Sequence, residues 1–394
     1  MLELRRAILA ALVLLLVAGC YPGPATSPRG GLFSRFGSYP PLPKAMEPHL
    51  KWQSPGTWRT VVRERYRSVG GRTSIDLDAS RLLWVEAKTG SAREASGPAS
   101  VVMREAGGGR TVVWSATAGR IVESAHLSHP FLAVLERSAS RVWDWRLLVG
   151  RVEPGMRGKT GGCRLKEIAS GKRNGAGKRQ FLPTIDLDGD LLVWDERERR
   201  GGRSSNVIVR YDLRTRSRSV LARGNVHMPS VSQGRVAWNE ESVTASRSGV
   251  GVTSRIRETD ETGGCGSLRS TSHAMFATRS RDLLAWLDIR RRLLSQPAIA
   301  DVYCSLRRGP TLRLTNDGLS TQAIAGDGLV AWQDLTGAIF AADVGRLEGF
   351  RLVKRGGREG VLWDVDGRRL VYELQPRLSG SGDEREMVVL ELGH

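Results

Sequence analysis

The sequence predicts an all-β fold, a seven-bladed β-propeller, and three features support this prediction. A short apolar segment, usually centred on an aromatic residue, recurs seven times at steps of roughly 40 to 60 residues. A polar turn precedes each segment, and glycines punctuate the connections. No 3.6-residue period is sustained, so the apolar segments are strands rather than helices. The centres of the seven segments are Trp84, Val134, Trp194, Trp238, Trp286, Trp332 and Tyr372.

The third repeat shows the unit most clearly. Pro183–Asp190 is an inner strand that ends in an Asp-Gly turn, and Leu191–Arg197 is the second strand. Asn206–Arg214 and Ser217–Arg223 supply the third and fourth strands of one blade. A blade buries its faces only by stacking on its neighbours. The large aromatic residues of the second strands are therefore predicted to pack between blades.

Closure of the ring is predicted from the strands at the two ends of the chain. The last repeat offers three strands, Val361–Val365, Arg369–Leu374 and Glu386–Leu392. A spare strand, Trp58–Arg65, precedes the first repeat and is expected to complete the last blade. This arrangement removes the exposed strand edge of an open ring. Seven blades follow, with six or eight as the alternatives.

Two of the repeats resemble a known group of proteins. The segments PTIDLDGDLLVW (183–194) and PSVSQGRVAW (229–238) are similar to the repeat of TolB-type periplasmic β-propellers. The resemblance extends from about Trp58 to the end of the sequence, and it implies a propeller of the bacterial envelope. The TolB pattern has six blades and a separate N-terminal α/β domain, for which this sequence has no room. The resemblance therefore implies the fold and the compartment, not a member of the Tol system.

The N-terminal residues predict export and a lipid anchor. Residues 1–19 have the basic start and the short apolar stretch of a signal peptide, which is too short to span a bilayer. Val17–Cys20 resembles a bacterial lipobox, in which Cys20 is acylated and becomes the new N-terminus; an ordinary signal peptide with an incidental cysteine is the alternative. Tyr21 follows rather than aspartate, and by resemblance to lipoprotein sorting in bacteria with two membranes this permits export to the outer membrane.

The sequence after the signal peptide divides into two parts. Residues 20–56 contain half of the sixteen prolines and are predicted to form an extended tether behind the acylated cysteine. Residues 57–394 are predicted to form the propeller. A lipid-anchored protein of the cell envelope, in the outer membrane or the periplasm, is the localisation that this organisation indicates.

Cysteine usage gives one candidate disulfide. Besides Cys20 the chain contains Cys163, Cys265 and Cys304. Cys163 and Cys265 belong to blades that are not adjacent. Cys265 and Cys304 belong to neighbouring blades and are the better pair. No CxxC motif occurs, so the sequence gives no zinc-ribbon or thioredoxin-like signal.

The charge is strongly basic and unevenly distributed. Sixty Lys and Arg against forty-one Asp and Glu give a net charge of +19, and residues 151–230 contain eighteen basic and nine acidic residues. Loops between second and third strands share one face of a propeller with the connections between blades, so a basic face is predicted there. A solvated surface of Arg-rich composition is the alternative. The candidate polyanion-binding residues are Lys172, Arg173, Lys178, Arg179, Arg197, Arg199, Arg200, Arg203, Arg290, Arg291 and Arg292.

The sequence contains no familiar catalytic motif. Gly-rich phosphate loops, HExxH and GxSxG are absent. Asp-x-Asp recurs at Asp76/Asp78, Asp186/Asp188 and Asp364/Asp366, always at the end of an inner strand. Such aspartates shape tight turns by accepting the turn's backbone N–H groups. A calcium site is the alternative interpretation.

A small set of polar residues at the blade entrances suggests a metal site. His126, His227, His273 and Gln322 occupy roughly comparable positions, and the set is similar to that of oligogalacturonate lyases. Those are seven-bladed propellers that hold a divalent metal with histidines and a glutamine. The spacing in this chain departs from that pattern, and hydrogen-bonding loop residues are the alternative.

The predicted function is that of a lipid-anchored, non-enzymatic binding or scaffold module. Its partner is an envelope protein or an anionic envelope polymer, such as an acidic glycan or the lipid head groups of the membrane. An exported chain without a nucleic-acid-binding motif argues against nucleic acid as the partner. No cofactor is expected under this interpretation. The alternative is a metal-dependent propeller enzyme such as a polysaccharide lyase.

Overall fold

The computed structural model is an all-β structure. Its only described helix is a three-residue 3-10 turn at Pro55–Thr57, and none of the described helices is long and apolar enough to cross a membrane. The residues that the structure describes are 46–67, 74–87, 99–105, 108–153, 163–171, 181–246, 249–259, 265–268, 273–291, 299–307, 309–354, 360–374 and 384–393.

Seven sheets form the seven blades of a propeller, as predicted, and the four core strands of each blade are antiparallel. The first two strands of the described residues are β1 (Lys51–Gln53) and β2 (Trp58–Arg67). Blade 1 contains β3 (Ile75–Asp78), β4 (Arg81–Ala87), β5 (Ala99–Glu105) and β6 (Arg110–Ser115). Blade 2 contains β7 (Arg120–Ser128), β8 (Phe131–Ser138), β9 (Trp145–Arg151) and β10 (Lys166–Ser170). Blade 3 contains β11 (Ile185–Asp188), β12 (Leu191–Arg200), β13 (Arg203–Asp212) and β14 (Ser217–Gly224).

The remaining blades repeat the same order from the inner to the outer strand. Blade 4 contains β15 (Val226–Ser232), β16 (Arg235–Ser246), β17 (Gly249–Thr259) and β18 (Cys265–Leu268). Blade 5 contains β19 (Ala274–Ser280), β20 (Leu283–Arg291), β21 (Ile299–Leu306) and β22 (Thr311–Arg313). Blade 6 contains β23 (Ser320–Ala325), β24 (Leu329–Asp334), β25 (Ile339–Asp343) and β26 (Glu348–Val353). Blade 7 contains β27 (Gly360–Asp366), β28 (Arg369–Leu374) and β29 (Glu384–Leu392).

The ring closes as the sequence predicts, because an N-terminal strand completes the last blade. β2 is the outer strand of blade 7 and pairs antiparallel with β29, from Trp58 opposite Leu392 to Arg67 opposite Glu384. Side chains reinforce the pairing, because Tyr66 donates a hydrogen bond to the buried Glu373 of β28. The first and last parts of the propeller are therefore held in one sheet.

The apolar centres of the second strands pack between blades, which confirms their predicted role. Trp84, Trp194, Trp238 and Trp286 are all buried. Each shares an apolar cluster with residues of the preceding blade: Trp286, for example, packs with Ala237 and Ile256 of blade 4. Val134 takes the same place in blade 2, where it meets Leu83 and Val85 of blade 1. The seams between blades are thus the hydrophobic core.

The segment before the propeller crosses the seam between blades 5 and 6. Met46 forms a parallel bridge with Leu312 of β22. β1 then pairs in parallel with β26, with Trp52 opposite Gly349, and makes blade 6 five-stranded. Residues 46–53, which the sequence places in the tether, are therefore part of the folded structure.

Candidate functional site

The inner strands carry polar side chains that join each blade to the next. In blades 7, 1 and 3 the Asp-x-Asp carboxylates accept hydrogen bonds from backbone N–H groups in, or directly after, the inner strand of the following blade. These bonds are Leu77 N–H to Asp364 Oδ2 (2.8 Å), Leu127 N–H to Asp76 Oδ2 (2.7 Å), His129 N–H to Asp78 Oδ2 (3.0 Å) and Val231 N–H to Asp186 Oδ2 (2.8 Å). The prediction that these aspartates mainly shape their own turns is therefore wrong: their principal partners lie in the next blade.

Hydroxyl groups perform the same task in blades 4 and 5. Ser230 Oγ accepts a hydrogen bond from the Arg279 N–H (3.0 Å), and Ser232 Oγ accepts one from the Arg281 N–H (3.0 Å). Thr278 Oγ1 accepts one from the Ala325 N–H (2.9 Å). Short polar side chains thus follow the inner circumference of the propeller, with a gap at blade 6, and we call this set the inner ring.

His126 occupies the aspartate position of blade 2. Its Nδ1 lies 3.2 Å from Asp76 Oδ1. Burial lowers the pKa of His126, but the hydrogen bond to Asp76 and the charges of Asp76, Asp186 and Asp364 outweigh it and raise the pKa to about 9. The imidazole is therefore a cation at neutral pH, placed among carboxylates. Burial also raises the pKa of Asp364, and the nearby charge of Asp76 adds to this shift.

The structure gives the predicted metal ligands different surroundings. His126 contacts Asp76, whereas His227 places Nε2 3.3 Å from Glu241 Oε1 at the start of blade 4. His273 precedes β19, and Gln322 lies in β23. Within the described part of the chain, no group of three or more His, Cys, Asp or Glu side chains is arranged to hold a metal ion. The metal site stays a hypothesis, and so does calcium binding at the aspartates.

The described part of the predicted basic face is the hairpin of β12 and β13. Arg199, Arg200 and Arg203 are exposed, Arg197 is half-buried, and none of the four forms an ion pair with a described residue. Arg200 lies directly opposite Arg203, and Gly201 and Gly202 form the turn between them with positive φ of 56° and 78°. Like charges that face each other across a ladder destabilise it. We call the tip formed by residues 199–203 the basic hairpin.

Only two of the other predicted basic residues lie within the described part of the chain. Arg290 and Arg291 lie at the end of β20. Lys172, Arg173, Lys178, Arg179 and Arg292 lie outside the described residues, as does the predicted lipid anchor, Cys20. Their shared face with the basic hairpin therefore remains a prediction from the topology.

The predicted disulfide between Cys265 and Cys304 is wrong. Cys304 is a free, fully buried thiol, and burial raises its pKa to about 12. Its side chain packs in the seam with blade 6, beside Leu312 and Val330, whereas its neighbour Tyr303 faces blade 4. Because successive side chains of a strand point to opposite faces, Cys304 faces away from the blade that carries Cys265.

Cys163 is a second buried free thiol. Its Sγ donates a hydrogen bond to the Arg151 carbonyl (2.9 Å), and burial raises its pKa to about 11. Because the thiolate is the reactive form, a buried cysteine with a raised pKa has the character of a structural residue.

Sequence reasoning missed a cleft of about 500 Å³ at the seam of blades 5 and 6. Residues 47–50 and Trp52 form one wall, and Trp332 and Phe340 lie at its base. The available signal was the presence of Leu50 and Trp52, two large apolar residues at the end of the Pro-rich segment, close to the first predicted strand.

Comparison with known proteins gives the fold and no more. No protein-family model matches the sequence, and no curated protein matches it. The β-propeller domain of the Trilobed protease from Pyrococcus furiosus is similar in structure, with a TM-score of 0.54, 12% identity, and coverage of 78% of this chain and 89% of that one. A polysaccharide lyase has a TM-score of 0.51 and 10% identity, with 82% and 91% covered. An oligogalacturonate lyase in complex with manganese has a TM-score of 0.50 and 12% identity, with 90% and 98% covered. At such identities these likenesses show that the chain has a β-propeller fold.

Proposed function

We propose that this protein is a lipid-anchored envelope propeller that binds an anionic polymer through its basic face and catalyses no reaction. The observation that carries the proposal is the basic hairpin. Arg199, Arg200 and Arg203 project from a two-stranded extension of blade 3 without ion-pair partners among the described residues. Arg200 and Arg203 lie opposite each other, and their positive charges repel each other in the free protein. A bound anion relieves that repulsion.

The inner ring supports a binding role over catalysis. Its carboxylates accept hydrogen bonds from the backbone of the next blade, so they are committed to holding the ring together. A general base or metal ligand needs a carboxylate that is free to meet substrate. The ring therefore has a structural role in each blade where these bonds occur.

The decisive experiment measures how binding depends on salt and on the basic hairpin. Lipopolysaccharide, an acidic glycan and anionic vesicles serve as probes at two salt concentrations. The variant R199E/R200E/R203E should lose most of the affinity, since each lost phosphate or carboxylate contact also removes counterion release. Its folding should change little, because exposed charges contribute little to stability.

A matched control lies in the same blade. Arg214 and Arg216 are exposed in the turn after β13, at the opposite end of the strand that starts with Arg203. The variant R214E/R216E changes two charges in the same direction and should retain most of the affinity. Binding that is insensitive to salt, or equal losses from both variants, would contradict the proposal and favour a protein partner recognised by shape.

The anchor is tested separately. Cys20→Ser should abolish acylation and release the protein from membranes into a soluble fraction. Wild-type protein that already fractionates as soluble material would contradict the lipid anchor, without bearing on the basic hairpin.

The alternative of a metal-dependent lyase is tested by metal analysis of the purified protein. A stoichiometric divalent ion that is lost in His227→Ala would favour the enzyme and contradict the non-enzymatic proposal. Purified protein without stoichiometric metal supports the binding role.

A further inference from the structure

The cleft at the seam of blades 5 and 6 has an aromatic wall that is open to solvent. Trp52 of β1 is 54% exposed, although it meets Trp332 and Phe340 edge-on with ring centroids 6.5 and 6.0 Å away. Trp332 and Phe340 stack on each other at 5.5 Å and are buried. The indole of Trp52 therefore presents apolar surface to the cleft and rests on a rigid aromatic base.

The position of Trp52 is fixed by the fold. β1 places it opposite Gly349, and a Cβ atom at Gly349 would lie only 3.1 to 3.3 Å from three atoms of the indole ring. The ring thus lies directly over the backbone of β26. An exposed tryptophan held this firmly is a preorganised surface, so little conformational entropy is lost when a ligand stacks on it.

The polar groups around the cleft are of two kinds: carboxylates that already have partners within the protein, and donors that have none among the described residues. Glu47 pairs with Arg313, Asp317 Oδ1 accepts the Leu319 N–H (3.1 Å), and Asp334 Oδ1 accepts the Thr336 N–H (2.8 Å). The cleft's acidic groups are therefore engaged within the protein.

The donors that line the cleft are available to a ligand. Arg351 is exposed, with its guanidinium carbon 5.6 Å from the centre of the Phe340 ring, and it forms no ion pair with a described residue. The exposed side chains of His49 and Asn316 have no hydrogen-bond partner among the described residues. A cleft with an apolar ring surface and free donors suits a ligand with an apolar face and several acceptor oxygens.

We propose that this cleft binds a carboxylate-bearing sugar residue. The C–H face of the sugar ring stacks on Trp52, and its carboxylate pairs with Arg351, whose planar guanidinium matches carboxylate geometry. His49 and Asn316 donate to the ring oxygens and hydroxyls. The volume of about 500 Å³ accommodates one or two sugar units. This site is separate from the basic hairpin, which belongs to blade 3.

Calorimetric titration of the mature protein with a glucuronate-containing tetrasaccharide, and with the same saccharide after reduction of its carboxyl groups, tests the proposal. Wild-type protein should bind the acidic form at least about tenfold more tightly, the equivalent of 1.4 kcal/mol. Arg351→Ala should remove this preference. Trp52→Ala should weaken both forms at least about tenfold, and Trp52→Phe should restore part of the loss.

Two further variants keep the test independent of folding. Asn316→Asp adds a carboxylate at an exposed position and should weaken the acidic saccharide more than the reduced one. Arg151→Ala is the control for Arg351→Ala. Arg151 is an exposed arginine of blade 2 that lies 5.3 Å from the centre of the Phe131 ring, as Arg351 lies over Phe340, but it is outside the cleft. This variant should bind both saccharides as wild type does.

The failures of the two proposals are distinguishable. R199E/R200E/R203E should bind the tetrasaccharide as wild type does, even if it loses polymer binding. The cleft proposal is overturned if wild-type protein shows no saturable binding of the acidic tetrasaccharide, if Arg351→Ala keeps the preference for it, or if Trp52→Ala binds both forms unchanged.

Discussion

Two arcs of the inner ring solve the same structural problem with different chemistry. In blades 7, 1 and 3 carboxylates accept the backbone N–H groups of the next blade, whereas in blades 4 and 5 hydroxyls do so at the same positions. A charged acceptor makes the stronger hydrogen bond, but burying it among other carboxylates is costly. The raised pKa values of Asp186, Asp364 and Asp366 record that cost, for which burial is the main cause.

His126 explains how the carboxylate arc is tolerated. It stands between blades 1 and 3 in the ring and interacts with Asp76, Asp186 and Asp364. A cation among these carboxylates offsets part of their repulsion. The hydroxyl arc needs no such ion, so the two arcs should respond differently to mutation and to pH.

The largest effect is expected from removing the outer strand of blade 7, the first blade of the carboxylate arc. Deleting residues 57–67 removes β2, exposes β29 as an edge and leaves Glu373 without Tyr66. We expect aggregation or failure to fold, measured by size-exclusion chromatography and circular dichroism. Deleting residues 22–45 should leave the propeller folded. Equal damage from both deletions would contradict closure by β2.

The next effect compares acceptors across the two arcs. Asp364→Ala leaves the Leu77 N–H without its acceptor and should lower the free energy of unfolding by about 2 kcal/mol. Asp364→Asn keeps a carbonyl acceptor without the buried charge and should stay within about 1 kcal/mol of wild type. Ser230→Ala in the hydroxyl arc should cost about 1 kcal/mol. Urea unfolding measures all three, and a loss in Asp364→Asn as large as in Asp364→Ala would contradict the acceptor role.

Blade 6 lacks both kinds of acceptor and sharpens the comparison. It carries Ile324 and Gly326 at these positions, and Gly326 packs against blade 7. A Cβ atom at Gly326 would lie 2.4 Å from Val365 Cγ1 and 2.7 Å from the Gly367 carbonyl oxygen. Gly326→Ala should therefore cost about 1–2 kcal/mol through overpacking. Gly109→Ala, where nothing lies within 4 Å, is the matched control and should be nearly neutral; a neutral Gly326→Ala would mean that this seam is loose.

The features that the sequence predicted correctly are those set by local pattern. The aromatic centres of the second strands and the spare strand Trp58–Arg65 follow from strand periodicity and from turn residues. The prediction for the Asp-x-Asp pairs was wrong because their carboxylates accept hydrogen bonds from the next blade. The donor lies 45 residues after Asp186 and 51 residues after Asp76. A local pattern contains no information about that lateral partner.

The misassigned disulfide and the missed cleft have related causes. A bridge between Cys265 and Cys304 requires that the two residues lie in neighbouring blades, which they do. It also requires that the two side chains face each other, and the Cys304 side chain faces blade 6 instead. A shift of one residue along the strand would reverse that direction, so the blade assignment alone does not predict it. The cleft depends on residues 46–53, which follow a Pro-rich stretch and whose polar and charged residues resemble those of a linker. Their order comes from pairing with β26 and β22, which only the tertiary structure reveals.

The smallest expected effect is the pH response of the carboxylate arc. Because the pKa of His126 is raised from 6.5 to about 9, its stabilising contribution is fully present below about pH 6.5 and is lost as the pH rises through about 9. A quarter of the side chain is exposed, so we expect the loss to be on the order of 1 kcal/mol rather than the full value of 1.36 kcal/mol for each unit of the shift. Urea unfolding at pH 6, 7.5 and 9.5 measures it.

His126→Gln is the control for this response, because glutamine keeps a polar side chain at this position and does not titrate. The free energy of unfolding of wild type should fall toward that of the variant as the pH rises from 6 to 9.5, while the carboxylates that titrate at lower pH affect both proteins alike. Ser230→Ala, in the hydroxyl arc, should follow the wild-type pH curve at a constant offset. Parallel curves for wild type and His126→Gln would show that the histidine does not supply the compensating charge, and that the carboxylates of blades 7, 1 and 3 are held by their backbone donors alone.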